Sequence, residues 1–309
     1  MSKRQGSHIL RQVLFFLLSI VGLFVLMYGY IIVASLLGRE KIVVESMERT
    51  YRIYVPTSYD KEEPLPLVFV LHMLTGSGKT TQWLTHFDEL AEQEGFIVVY
   101  PEGFKGSWAE GSNLYAADQN QIDDVMFISN LIDELMSSYS IDPNQIFITG
   151  FSSGGFMAQR LGCEMSDRIA GVATVGATLS KGIIESCEPQ SPLSVLMIHG
   201  TEDHGVPWDG DPDYVSVPDT VDFWVKQNEC NTVPKHAQIP DSKADDTKVE
   251  YDMYTGCLDN SQVKLYKIIG GGHAWPGGSQ MVQLWGLNGK ISQDIDASQT
   301  IWSFFQEQR

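Results

Sequence analysis

The sequence predicts an α/β fold, with a mostly parallel central sheet and helices on both faces, and three observations predict it. Runs that are apolar throughout, such as Leu67-Val68-Phe69-Val70-Leu71, are what strands look like when helices cover both faces of their sheet. These runs alternate along the chain with amphipathic stretches of helical period, the order that parallel strands with crossover helices require. The stretch from Gly150 to Gly155, Gly-Phe-Ser-Ser-Gly-Gly, joins an apolar run to a helix-like one by a turn too glycine-rich to be either.

The elements follow in order. Residues 1–12 carry Lys3, Arg4 and Arg11, and residues 13–37 carry no charge. That run is long enough to cross a membrane and exceeds the apolar core of about 7–15 residues usual in a cleavable signal peptide. It predicts a signal anchor whose basic end stays inside, with everything beyond Arg39 exported; secretion after cleavage near Ala34-Ser35-Leu36 is the alternative. Residues 41–309 read as one domain. Within it 42–46 and 50–55 alternate like paired strands, the second ended by Pro56. A strand at 67–71, a helix over 80–94 and a strand at 96–100 follow. A helix over 121–139 places Val125, Ile128, Ile132 and Leu135 on one face. Then come a strand at 145–149, a helix at 156–165, strands at 168–175 and 193–198, a helix at 219–229, a strand at 263–268 and a last helix near 291–305. The polar, proline-containing segment 231–247 reads as a long loop within the same domain.

Net charge is −18, and residues 1–40 hold four of the 21 basic side chains but one of the 39 acidic ones. The remainder is therefore more acidic still, which makes nucleic acid and anionic lipid poor partners of the folded part. Cys163, Cys187, Cys230 and Cys257 all lie in the exported part, and none has metal-type spacing. In an oxidising compartment they predict two disulfides, with three pairings open.

A serine hydroxyl becomes a nucleophile when a sharp strand-to-helix turn holds it beside a base. Such a turn is crowded, and the positions two before and two after the serine need very small residues. Gly150 and Gly154 meet that need, which makes Ser152 the candidate nucleophile and the N–H of Ser153 an oxyanion donor at a helix start. A rival motif, residues 71–80 with Gly78-Lys79-Thr80, suggests a phosphate loop, but Met73 stands where that loop needs glycine, so no nucleotide is expected. The same turn could supply the second oxyanion donor, from the N–H of Leu74 or of Met73. The acid should follow a later strand and the base the last one. Asp203 fits the first place, ahead of Glu202 and Asp209, and His273, set among Gly270-Gly271-Gly272 and Gly277-Gly278, fits the second. His72, His199 and His204 follow strands too, but precede the last one, while His8, His86 and His236 have no such context. Trp108, Tyr115, Trp208 and Trp275 lie near these loops and could line a substrate pocket.

From about Val44 onward the sequence resembles the secreted esterase family that includes polyhydroxybutyrate depolymerases and feruloyl and acetylxylan esterases. The likeness is carried by Tyr100-Pro101-Glu102-Gly103 with Trp108, Asp123-Asp124-Val125-Met126-Phe127-Ile128, Gly150 to Gly155, His199-Gly200-Thr201-Glu202-Asp203 and Gly272-His273-Ala274-Trp275-Pro276-Gly277. The resemblance implies an α/β-hydrolase fold, a Ser152, Asp203, His273 triad that needs no metal or cofactor, and disulfides pairing Cys163 with Cys187 and Cys230 with Cys257. Where the family often has His-Gly, this chain has His72-Met73. The expected function is a serine carboxylic-ester hydrolase facing outward from a membrane and acting on soluble or oligomeric esters. The alternative is an anchored binding protein of the same fold with a lost oxyanion hole.

Overall fold

The computed structural model describes residues 38–278 and 289–308. The uncharged run 13–37, and with it the expectation of an anchor, lies outside the described residues. Among the described residues no helix is long and apolar enough to cross a membrane.

Among the same residues the strands are β1 (Glu40–Val44), β2 (Met47–Tyr54), β3 (Leu65–Leu71), β4 (Ile97–Pro101), β5 (Ile141–Phe151), β6 (Gly171–Val175), β7 (Ser194–Gly200), β8 (Lys235–Gln238), β9 (Lys248–Tyr254) and β10 (Val263–Ile269). They form one sheet in the order β1-β2-β4-β3-β5-β6-β7-β10-β9-β8. The run from β4 to β10 is parallel throughout, and an antiparallel pair flanks it on each side. The helices are α1 (Gly78–Thr85), α2 (Phe87–Glu94), α3 (Ala116–Gln119), α4 (Asp124–Ser138), α5 (Ser153–Glu164), α6 (Lys181–Ile184), α7 (Val217–Gln227) and α8 (Ala297–Gln306).

The two-residue period of each strand divides the core into two layers. From β3, Leu67, Phe69 and Leu71 enter one layer, with Phe127, Ile128 and Leu131 of α4, Met157 and Leu161 of α5 and Trp224 of α7. Val68 and Val70 enter the other, with Phe87 and Leu90 of α2 and Ile301, Trp302 and Phe305 of α8. Each fully buried side chain of this size contributes about 1.5–3 kcal/mol of burial free energy, so the sheet is fixed from both faces. Its carboxyl edge, where β3, β5, β7 and β10 end, carries the loops that the sequence marks for chemistry.

Four elements differ from expectation. The helix foreseen over 80–94 is two helices, because His86 adopts a left-handed conformation (φ 53°) and ends α1 with its own N–H on Gln82. The break lets Thr81 and Thr85 of α1 and Phe87, Leu90 and Ala91 of α2 all be buried. The helix foreseen from 121 starts at Asp124, where Asp123 accepts from the N–H of Met126, and α3 precedes it. The segment 231–247 contains the edge strand β8, which is too exposed to show an apolar alternation. The last helix begins at Ala297, capped by Asp296, later than the 291 foreseen.

Candidate active site

Ser152 sits between β5 and α5 with φ 54° and ψ −122°, a conformation that L-residues with side chains rarely adopt. Its own N–H donates to the Val175 carbonyl at 3.0 Å, and its carbonyl accepts from the Phe156 N–H at 3.0 Å. The surroundings thus hold a strained backbone that turns the hydroxyl toward His273. A Cβ at Gly154 would overlap the Leu71 carbonyl and stand 2.7 Å from that of His72, so the end of β3 and the elbow touch backbone to backbone. Ser153 opens the 12-residue helix α5, whose first N–H groups and dipole favour negative charge at this spot.

His273, in the loop after β10, points Nε2 at the Ser152 hydroxyl from 2.9 Å and Nδ1 at Asp203 Oδ2 from 2.8 Å. An ionised carboxylate only accepts, so Nδ1 carries the proton and Nε2 is left as a bare acceptor for the serine. The ring stacks on Phe151 (centroids 5.0 Å apart) and lies between Gly176 and Gly205, where a Cβ would come within 3.1 and 3.0 Å of it. Asp203 follows β7 and is buried. Its Oδ1 accepts from the N–H groups of Gly205 (2.8 Å) and Val206 (2.7 Å). Burial pushes its carboxyl up, but the hydrogen bond and charge of His273, the His199 ring and the Val206 N–H together outweigh that and hold it below the usual carboxylate range.

The turn after β3 is built on His72. Its Nδ1 lies 2.8 Å from the Met73 carbonyl and its Nε2 accepts from the Gly103 N–H at 2.8 Å. The Met73 carbonyl also accepts from Gly76, and Thr75 donates to Gly106. Among the described residues no acceptor takes the N–H of Met73 or Leu74. Thr80, the threonine of the rival phosphate motif, closes a capping box with Ser77 at the start of α1.

The tryptophans expected in a pocket divide. Trp108 is fully buried and its indole N–H donates to the His72 carbonyl at 2.9 Å, so it braces the β3 turn instead of lining a pocket. Trp275 is buried edge-on against Phe87 and Phe151, with its N–H on Ser298, and is core as well. Trp208 remains partly exposed, beside His199. Glu202, His204 and Asp209 are exposed. Cys163 pairs with Cys187 and Cys230 with Cys257, tying the ends of α5 and α7 to neighbouring loops.

Sequence reasoning missed the parts that seat the histidine and the acid: Phe151, Gly176, Gly205 and Val206. Phe151 and Gly176 each directly follow a strand's core residues, but nothing local says that a ring 97 or more residues later will lie on them. It also missed a buried acid, Glu110, which accepts from Ser112 and lies beside Tyr214, itself stacked on Phe156 of α5.

A family profile described as Phospholipase/Carboxylesterase matches residues 108–214. The chain is 30% identical over 230 residues to feruloyl esterase B of Piromyces equi, a match covering 71% of this chain and 41% of that protein. It is 26% identical over 244 residues to feruloyl esterase D of Neurospora crassa, covering 74% of this chain and 75% of that one. Among solved structures, the acetyl xylan esterase from Aspergillus awamori aligns with a TM-score of 0.57 at 17% identity, over 80% of this chain and 98% of that one.

Proposed function

We infer that this chain, whose fold is that of the α/β hydrolases and whose sequence is similar to feruloyl esterases, is a serine carboxylic-ester hydrolase acting on esters of the feruloyl or acetyl type. The observation that carries the reading is the unbroken line of hydrogen bonds from Asp203 through His273 to the Ser152 hydroxyl, 2.8 and 2.9 Å long.

In this reading Ser152 Oγ attacks the ester carbonyl while His273 Nε2 takes its proton. Asp203 keeps the proton of the imidazole on Nδ1 and stabilises the imidazolium that forms. The carbonyl oxygen, now negative, is held by the N–H of Ser153 and by the turn of Met73 and Leu74, each donor lowering the barrier by about 3 kcal/mol. Collapse of the tetrahedral intermediate expels the alcohol with the proton from His273. Water, deprotonated by the same imidazole, then releases the acid and regenerates Ser152. The disulfides support action outside the cytoplasm, since such bonds persist in oxidising compartments. Residues 41–309 form the catalytic domain of this proposal and 1–40 its leader and membrane anchor.

Hydrolysis of methyl ferulate, an acetylated sugar and p-nitrophenyl acetate by the wild type and by Ser152→Ala tests it. The reading expects turnover of at least one ester and a loss of kcat of about 10⁴-fold or more in the variant. Equal activity of the two proteins would remove Ser152 from the reaction.

A further inference from the structure

His199 precedes the final residue of β7 and is fully buried four residues before Asp203. Its Nε2 lies 2.8 Å from the Val206 carbonyl oxygen. A carbonyl only accepts, so Nε2 carries the proton and Nδ1 does not. Nδ1 is buried with no hydrogen-bond partner among the described residues, a place an imidazolium N–H would find costly. Burial accordingly holds His199 below the usual histidine range, with the His273 charge acting the same way and Asp203 and the Val206 carbonyl opposing. The ring is a fixed, neutral donor.

What it holds is the loop that aims the acid. The N–H of Val206, whose carbonyl His199 grips, donates to Asp203 Oδ1 beside that of Gly205. With Oδ1 so occupied, Oδ2 is left to face His273 at 2.8 Å, and His199 Nε2 stands 3.5 Å from the same oxygen. A charged ring there would compete with His273 for the carboxylate; a neutral one leaves that charge for His273.

We propose that His199 is a positioning residue, whose Nε2–H clamps Val206 so that residues 203–206 present Asp203 Oδ2 to His273. The proposal rests on the Ser152, His273, Asp203 reading above. It is tested with the full chain as wild type, His199→Leu, which fills space without a donor, and His199→Gln, which can return an amide N–H to the Val206 carbonyl. The readouts are kcat and KM on p-nitrophenyl acetate and the far-downfield proton resonance of the His273–Asp203 hydrogen bond, recorded well below each protein's melting temperature. His199→Leu should lower kcat about 10–100-fold with little change in KM and lose the resonance, and His199→Gln should recover most of both. The proposal is overturned by a leucine variant with wild-type kcat and resonance, or by a glutamine variant as impaired as the leucine one. If the leucine variant does not fold, His199→Asn, whose amide is too short to reach, takes its place with the same outcomes. A wild type whose activity does not depend on Ser152 would bring down the triad reading itself, whereas a Ser152-dependent enzyme indifferent to His199 overturns only the clamp.

Discussion

Replacing Glu110 with Gln should make the protein more stable at alkaline pH and leave it unchanged under acid. Glu110 is fully buried, and its place is set by Ala109, whose N–H donates to Asp124 Oδ2 at 2.8 Å and whose carbonyl accepts from Arg160. Burial pushes its carboxyl up to about 7, and the Asp118 charge adds to this, while hydrogen bonds from the Ser112 hydroxyl and N–H pull the other way. In the unfolded chain the same group loses its proton near 4.5. Between those values the folded state binds more protons than the unfolded one, so stability falls as pH rises, by at most about 1.4 kcal/mol per pH unit. The stability that the proton brings is fully present below 4.5 and lost as pH passes 7, a difference of about 3 kcal/mol. Gln cannot ionise, and its amide can donate to the Ser112 hydroxyl, which turns to accept. Thermal unfolding of both proteins from about pH 4 to pH 8.5 should show melting temperatures that coincide at the acid end and diverge by roughly 5–10 °C at the alkaline end. A gap that does not change with pH would refute the account of Glu110 as a buried acid holding its proton.

Two further substitutions probe the frame around the site. Gly154→Ala would drive a methyl group into the carbonyls of Leu71 and His72, which as backbone cannot yield; it should destabilise by about 1–3 kcal/mol and cut kcat by about 10²-fold, read by urea unfolding and ester turnover. Arg49→Leu removes a guanidinium 2.6 Å from the buried Asp124 carboxylate and 3.9 Å from the Phe127 ring, and should cost about 3–5 kcal/mol in urea unfolding. Burial already holds Asp124 above the usual carboxylate range against the pull of Arg49, so that loss should grow as pH rises.

Much of this was legible because the fold states its rules locally. Continuous apolar runs mark strands covered on both faces, and Leu67 to Leu71 does divide its side chains between two core layers. The glycine pattern around Ser152 could be read because backbone contact at Gly154 forbids any side chain. Edge strand β8 was not legible, since an exposed strand buries no face and carries no alternation. Nor was the split at His86, where the demands of burial on both sides override helix period. The tryptophans misled for a related reason: sequence places Trp108 and Trp275 near the catalytic loops, but their indole N–H groups are spent on His72 and Ser298 within the core. Gly176 lies against the His273 ring and Glu110 beside Tyr214, each about a hundred residues along the chain where no local pattern reaches, and Val206 acts through its own N–H and carbonyl, which its side-chain type does not reveal.

The central claim is that Ser152 is an activated nucleophile, and labelling with a fluorophosphonate followed by mass mapping of the modified residue tests it most directly. The account predicts label on Ser152 in the folded, disulfide-bonded protein and its loss in His273→Ala, since without Nε2 at 2.9 Å nothing takes the hydroxyl proton. A folded protein that takes no label, or takes it on another serine such as Ser153, would contradict the account.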